Sequence, residues 1–129
     1  MIGADTVVTI DGTIIGKPSD EADARATLRR LSGVSHEVIT AVTVHRVATG
    51  TALTDSCTTR VWFRELSEDA IDEYVATTEP MDKAGSYAIQ GGGAAFVERI
   101  DGPYDNVVGL PVDLVGRLIE RIGRADLTA

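Results

Sequence analysis

Ala4-Asp5-Thr6-Val7-Val8-Thr9-Ile10-Asp11-Gly12-Thr13-Ile14-Ile15 opens the chain as a strand, a turn and a returning strand. Residues 4–10 are β-branched and apolar, as a buried strand requires. Asp-Gly is the strongest two-residue hairpin signal, so 13–15 forms the second arm. Gly16-Lys17-Pro18 then breaks the pattern. Ser19 or Asp20 can N-cap a helix to about Leu31, with Glu21 and Asp23 in its first turn and Ala24, Leu28 and Leu31 at helical spacing. Strands and helices of this kind in a chain of 129 residues suit one compact α/β or α+β domain.

Working outward from there, Ser32-Gly33 stops the helix, and two strands over 36–47 and 54–63 flank a turn at Ala48-Thr49-Gly50-Thr51. Ser67 N-caps a helix over 68–76. Residues 77–93 read as irregular and Gly-rich, 94–100 as a strand and 101–106 as a loop. Pro111 suits the entry to a helix over 112–122, which Gly123 ends, leaving 124–129 as a frayed tail. There are no repeats or low-complexity stretches. The whole of 1–129, 43% hydrophobic, fits one domain. The first strand begins almost at residue 1, which suggests that upstream sequence or a partner covers it.

The formal net charge is −8. A surface this acidic repels phosphate backbones and argues against nonspecific nucleic-acid binding. No apolar run approaches the ~20 residues that span a bilayer. No basic region followed by an apolar stretch marks a secretory signal. A single cysteine, Cys57, excludes an internal disulfide and a cysteine metal cluster. These features fit a cytoplasmic protein. Ten cations are Arg and only two are Lys, Lys17 and Lys83. Each lysine stands in a loop-like context beside Gly, where ligands are commonly met.

Three places hold residues suited to chemistry. Asp5 lies inside an apolar strand; it either caps the strand's exposed start or is a carboxylate held rigidly as metal ligand or general base. Glu79-Pro80-Met81-Asp82-Lys83-Ala84-Gly85-Ser86-Tyr87-Ala88-Ile89-Gln90-Gly91 packs two carboxylates, a lysine and several hydrogen-bonding side chains into one loop. That is a ligand loop or a polar surface loop with an Asp–Lys pair. Gly91-Gly92-Gly93 lacks the Lys-Ser/Thr of a P-loop and reads as a turn into the next strand. His36 and His45 read as ordinary strand residues, and Cys57 has no adjacent base.

Five motifs in series resemble one family. They are Gly3-Ala4-Asp5-Thr6-Val7-Val8, Gly16-Lys17-Pro18, Leu31-Ser32-Gly33 followed by His36, Glu79-Pro80-x-Asp82-Lys83-Ala84-Gly85-x-Tyr87-x-Ile89-Gln90-Gly91, and Asn106-Val107-Val108-Gly109-Leu110-Pro111. In order and spacing they resemble the Maf proteins, and the resemblance covers nearly the whole chain. It implies an elongated α/β fold with a mixed, twisted sheet, flanking helices and a cleft between two lobes, similar to inosine triphosphate pyrophosphatases. It implies hydrolysis of a nucleoside triphosphate between the α- and β-phosphates, a divalent metal (Mg²⁺ or Mn²⁺) and a homodimer. It also implies that the chain corresponds to the C-terminal two-thirds of the family domain. The arginine-bearing Ser-x-Ser-Pro-Arg-Arg loop and the segments after it would precede residue 1.

Carried over position by position, the resemblance makes Asp5 the general base and a candidate metal ligand, and Lys17 a phosphate-facing lysine. Thr6 and Gln90 fall at positions linked to substrate selection, and Glu79, Asp82 and Lys83 are cleft residues. A carboxamide both donates and accepts, so Gln90 suits the N3–H and O4 edge of uracil or thymine. The Tyr-x-Ile-Gln-Gly form resembles the branch acting on dTTP and UTP; the 7-methyl-GTP branch often has Glu at the Gln. The expected function is a dTTP/UTP pyrophosphatase that keeps modified pyrimidine nucleotides out of nucleic acid. Two other classes stand beside it: a non-catalytic remnant acting by binding or in cell-division arrest, and a metal-independent small-molecule binding domain.

Overall fold

The computed structural model describes residues 1–128, with side chains described except at residue 84 and from 124 onward. Five strands form one open sheet in the order β2-β1-β3-β4-β5: β1 (Ile2–Ile10), β2 (Thr13–Ile15), β3 (Ser35–Arg46), β4 (Thr51–Phe63) and β5 (Val97–Asp101). Asp11 and Gly12 both take positive φ, 51° and 79°, as the tight hairpin between β1 and β2 demands. All four pairings among the described residues are antiparallel, where the resemblance implied a mixed sheet. The turns joining β1 to β2 and β3 to β4 are two and four residues long, too short for the crossover a parallel pair needs.

Helix α1 (Glu21–Leu31) is capped by Asp20, whose side chain accepts from the Asp23 amide. Helix α2 (Glu68–Ala76) is capped by Ser67, which accepts from the Ala70 amide. These match the expected elements because a cap is a local interaction, readable over three or four residues.

Every helix packs on the same face of the sheet. The period of two along β3 sends His36, Val38, Thr40, Val42 and Val44 inward, all buried. At one end, Val8, Ile10, Val38, Val61 and Phe63 meet Ala24, Leu28 and Leu31 of α1 and Ile71, Tyr74 and Val75 of α2. At the other end, Val42 and Val44 meet Leu114, Leu118 and Ile122 of α4 (Val112–Thr128). Two separate apolar clusters thus sit on one sheet face.

Three expectations are corrected. The glycine run is not a simple turn: Gly92–Phe96 forms a 3-10 helix, and the strand after it is Val97–Asp101 rather than 94–100. The expected loop over 101–106 contains the short helix α3 (Tyr104–Val108), entered at Pro103 and ended by Gly109 at φ 123°. Helix α4 does not stop at Gly123 but runs to Thr128. Gly123 is not among the glycines with positive φ, so it makes no left-handed cap. Residues 124–128, expected to be a frayed tail, continue this helix, and residue 129 lies outside the described residues. No helix among the described residues is long and apolar enough to cross a membrane.

Candidate active site

A cleft of about 210 Å³ lies at the edge of the first apolar cluster, lined by Thr6, Val8 and Val38 from the sheet, Lys17, Asp82, Lys83 and Tyr87 from loops, and the end of α3. A narrower recess of about 60 Å³ continues from it past Lys83, Tyr87, Val107 and Val108 to Gln90. The two lysines of the chain, 66 positions apart, therefore line one cleft. What joins their loops is backbone: the Gly85 amide donates to the Gly16 carbonyl at 3.3 Å. Gly85 sits at φ 77°, and a Cβ there would meet Val8 Cγ2 at 2.9 Å. A side chain at that position would hold the loops apart.

Lys17 also lines a second, more open hollow of about 320 Å³, with Asp23 and Arg30 from α1. The lysine thus stands at the junction of two depressions. Two cations around that junction make it the electropositive part of an otherwise acidic molecule.

Thr6 reaches the cleft from β1 and its Oγ1 lies 2.9 Å from the Thr40 Oγ1. Thr40 donates its one proton to the Asn106 carbonyl at 3.3 Å. Thr6 must then donate to Thr40, which leaves the lone pairs of Thr6 as acceptors for whatever fills the cleft. Asn106 is fully buried, with Nδ2 donating toward the carbonyls of Val38 and Cys57 at 3.0 Å each and the Thr59 hydroxyl at 3.1 Å. It pins α3, and with it Val107 and Val108, onto the sheet.

Tyr87 forms the cleft wall. Its hydroxyl is 2.7 Å from His36 Nε2, and both rings stack edge-on against Phe63. Burial raises the Tyr87 pKa and lowers that of His36 to about 4, so the pair is neutral. His36, expected to be an ordinary strand residue, is the buried support of the wall. No local pattern marks it, because its partner is 51 residues away.

The carboxylates divide. Asp82 lines the cleft. Glu79 lines neither the cleft nor its recess and instead accepts from the Gly92 amide at 3.1 Å. Asp5 is exposed and pairs with Ala41. Strand alternation puts its side chain on the opposite face from Thr6 and Val8, so the structure does not bring it into the cleft with Thr6, Lys17, Asp82 and Lys83. However, β2 covers β1 only from Val8 to Ile10, so the outer edge of β1 beside Asp5 and Thr6 is unpaired among the described residues.

No group of three or more His, Cys, Asp or Glu side chains forms a metal cage among the described residues. Mg²⁺ does not need one: it is commonly held by one or two carboxylates together with substrate phosphates and water. A single exposed carboxylate such as Asp5 fits that donor set. Burial, with Asp105 nearby, pushes the Cys57 thiol up, which disfavours the thiolate and agrees with the absence of a neighbouring base.

Comparison with known proteins shows what the chain is similar to. A dTTP/UTP pyrophosphatase of Geobacter sulfurreducens is 56% identical over 122 residues, covering 95% of this chain and 64% of the relative. Its counterpart in Bdellovibrio bacteriovorus is 52% identical over 118 residues, covering 92% of this chain and 62% of the relative. One from Dictyoglomus thermophilum is 50% identical over 123 residues, covering 95% and 64%. The chain therefore spans a little under two thirds of the length of these curated relatives. Residues 1–122 match the Maf-like protein family, and the chain belongs to that family.

Proposed function

We propose that this protein is a nucleoside triphosphate pyrophosphatase acting on dTTP, UTP and modified pyrimidine nucleotides, releasing the monophosphate and pyrophosphate. The observation that carries the reading is the convergence of Thr6, Lys17, Asp82 and Lys83 on one cleft, with Gln90 at the end of its recess. Relatives about half identical in sequence bear the name dTTP/UTP pyrophosphatase. The base lies in the recess, where Gln90 meets N3–H with its carbonyl and O4 with its amide. Thr6 adds an acceptor, and Tyr87 and Val107 supply apolar walls. Cytosine presents an acceptor at N3 and an amino group at position 4, so it reverses the pattern that Gln90 must satisfy.

The phosphates run past Lys17, whose ammonium offsets their charge and strengthens as charge builds in the transition state. Asp5, on the rigid strand beyond the open edge of β1, takes the proton as water attacks the α-phosphorus. A divalent cation, Mg²⁺ or Mn²⁺, held by Asp5 and the phosphates would supply Lewis-acid polarisation there. The same reading carries a cytoplasmic homodimer, for which exposed Tyr104, Val108, Leu110 and Val112 around the α3–α4 junction offer apolar surface.

The test is incubation of the 129-residue chain with dTTP or UTP and Mg²⁺ or Mn²⁺, with pyrophosphate and orthophosphate measured separately. Pyrophosphate release that Asp5→Asn abolishes in a folded protein is the expected result. Orthophosphate as the product, or no hydrolysis, overturns the activity; unchanged turnover in Asp5→Asn removes Asp5 as the base. Sedimentation gives the assembly state.

A further inference from the structure

Gln90 is exposed at the rim of the recess, in a stretch without strand or α-helix to hold it. Its neighbours two positions away on each side are both tied to the same pair of side chains. The Ala88 amide donates to the Tyr74 hydroxyl at 2.9 Å. The Gly92 amide donates to Glu79 Oε2 at 3.1 Å. Tyr74 and Glu79 both lie against Gly92, and burial, together with the neighbouring carboxylate, raises the Tyr74 pKa. The loop is also held by contact. A Cβ at Gly91 would fall 1.7 Å from Glu79 Oε1, and one at Gly92 would meet the Tyr74 ring at 3.0 Å. The Tyr74 ring in turn stacks edge-on against Phe96 at 5.0 Å, just beyond the loop.

Glu79 therefore turns its half-buried carboxylate onto the loop backbone rather than into the cleft. One oxygen accepts from a backbone amide and the other lies against the Gly91 α-carbon. Within the motif that links Glu79 to Gln90, Asp82, Lys83 and Tyr87 line the main cleft and Glu79 does not.

We infer that Glu79 and Tyr74 are positioning residues for Gln90: they fix the backbone on both sides of it, and so set discrimination for uracil and thymine over cytosine, without touching nucleotide or metal. The inference rests on Gln90 reading the base. A carboxamide can satisfy both N3–H and O4 only at one depth and angle. Loss of an anchor at position 88 or 92 lets that angle wander, and a misplacement of about 1 Å costs on the order of 10²-fold at a reacting centre.

Binding of dTTP and dCTP to the full chain, by calorimetric titration with and without Mg²⁺, tests this without depending on turnover. Four variants are compared, each checked for folding by Trp62 fluorescence: Gln90→Ala, Glu79→Ala, Glu79→Gln and Tyr74→Phe. Glu79→Ala and Tyr74→Phe should lower the dTTP-to-dCTP affinity ratio about tenfold or more, toward that of Gln90→Ala. Amide exchange at Ala88 or Gly92 should quicken in the same variants. Glu79→Gln should keep most of the ratio, because its carbonyl can still accept from Gly92. A metal- or phosphate-binding Glu79 predicts the reverse: Glu79→Gln would be as damaging as Glu79→Ala, dTTP and dCTP would weaken equally, and the Mg²⁺ dependence would change. That result overturns the inference while leaving Gln90 as the base reader. If Gln90→Ala keeps the wild-type ratio, the base-reading proposal itself fails, and the positioning role with it.

Discussion

The buried His36–Tyr87 pair makes stability acid-sensitive in a calculable way. His36 is 1% exposed, and burial lowers its pKa from the usual 6.5 to about 4. The geometry supplies the same answer independently. Nε2 faces the Tyr87 hydroxyl, while Nδ1 is buried with no partner. Protonation would place a second N–H where nothing accepts it. The folded state thus keeps the ring neutral, while the unfolded chain takes up a proton below pH 6.5. Stability from this group is whole above pH 6.5 and is lost as pH falls toward 4, at a slope near 1.4 kcal/mol per pH unit and a total of about 3 kcal/mol. Urea denaturation followed by Trp62 fluorescence at several values from pH 7 to pH 4.5 measures it, with His36→Phe as the control that cannot titrate. The wild type should lose stability relative to His36→Phe over that window. Parallel lines for the two proteins would refute a neutral buried histidine, because every other titrating group is common to both.

Asn106→Ala should destabilise by roughly 2–4 kcal/mol, since it strands the carbonyls of Val38 and Cys57 in a dry interior; a change under about 0.5 kcal/mol in urea denaturation would be that of an ordinary surface site and would contradict the buried hub. Asn106→Asp should be worse than Ala, because a carboxylate would face those carbonyls with no proton to offer. Gly93→Ala would place a Cβ 2.6 Å from the Ala88 carbonyl oxygen, a backbone atom that cannot swing aside. It should cost about 1–3 kcal/mol, and wild-type stability in the same assay would show that the loop is looser than described. Lys17→Met should weaken dTTP about tenfold or more while leaving thymidine unaffected, the charged hydrogen bond being to phosphate alone. Equal weakening of nucleoside and nucleotide in calorimetry would place Lys17 on the base instead.

Several features were legible because their causes are local. Asp11-Gly12 marks the hairpin through the φ values its two residues must take, and Asp20 and Ser67 mark helix starts because each caps an amide three positions on. The scarcity of lysine pointed to Lys17 and Lys83, and both line the cleft. Helix α4 shows where local reasoning fails. Gly123 is a residue type that commonly stops a helix, yet it takes no positive φ and the helix continues through it to Thr128. The separation of Glu79 from Asp82 was equally invisible, since only the fold shows that one carboxylate turns inward to Gly92 and the other toward the cleft.

The sequence by itself determined the strands, the two capped helices, the acidic charge and the family, because propensity, capping and motif spacing act within a few residues. Tertiary structure alone decided which side chains share a surface. It put both apolar clusters on one sheet face, brought lysines 66 positions apart to one cleft, sent Asp5 to the other face, and gave His36 and Asn106 their buried partners. The physical reason is that a strand's period of two settles which residues share a face, but only its register with distant strands settles what that face meets.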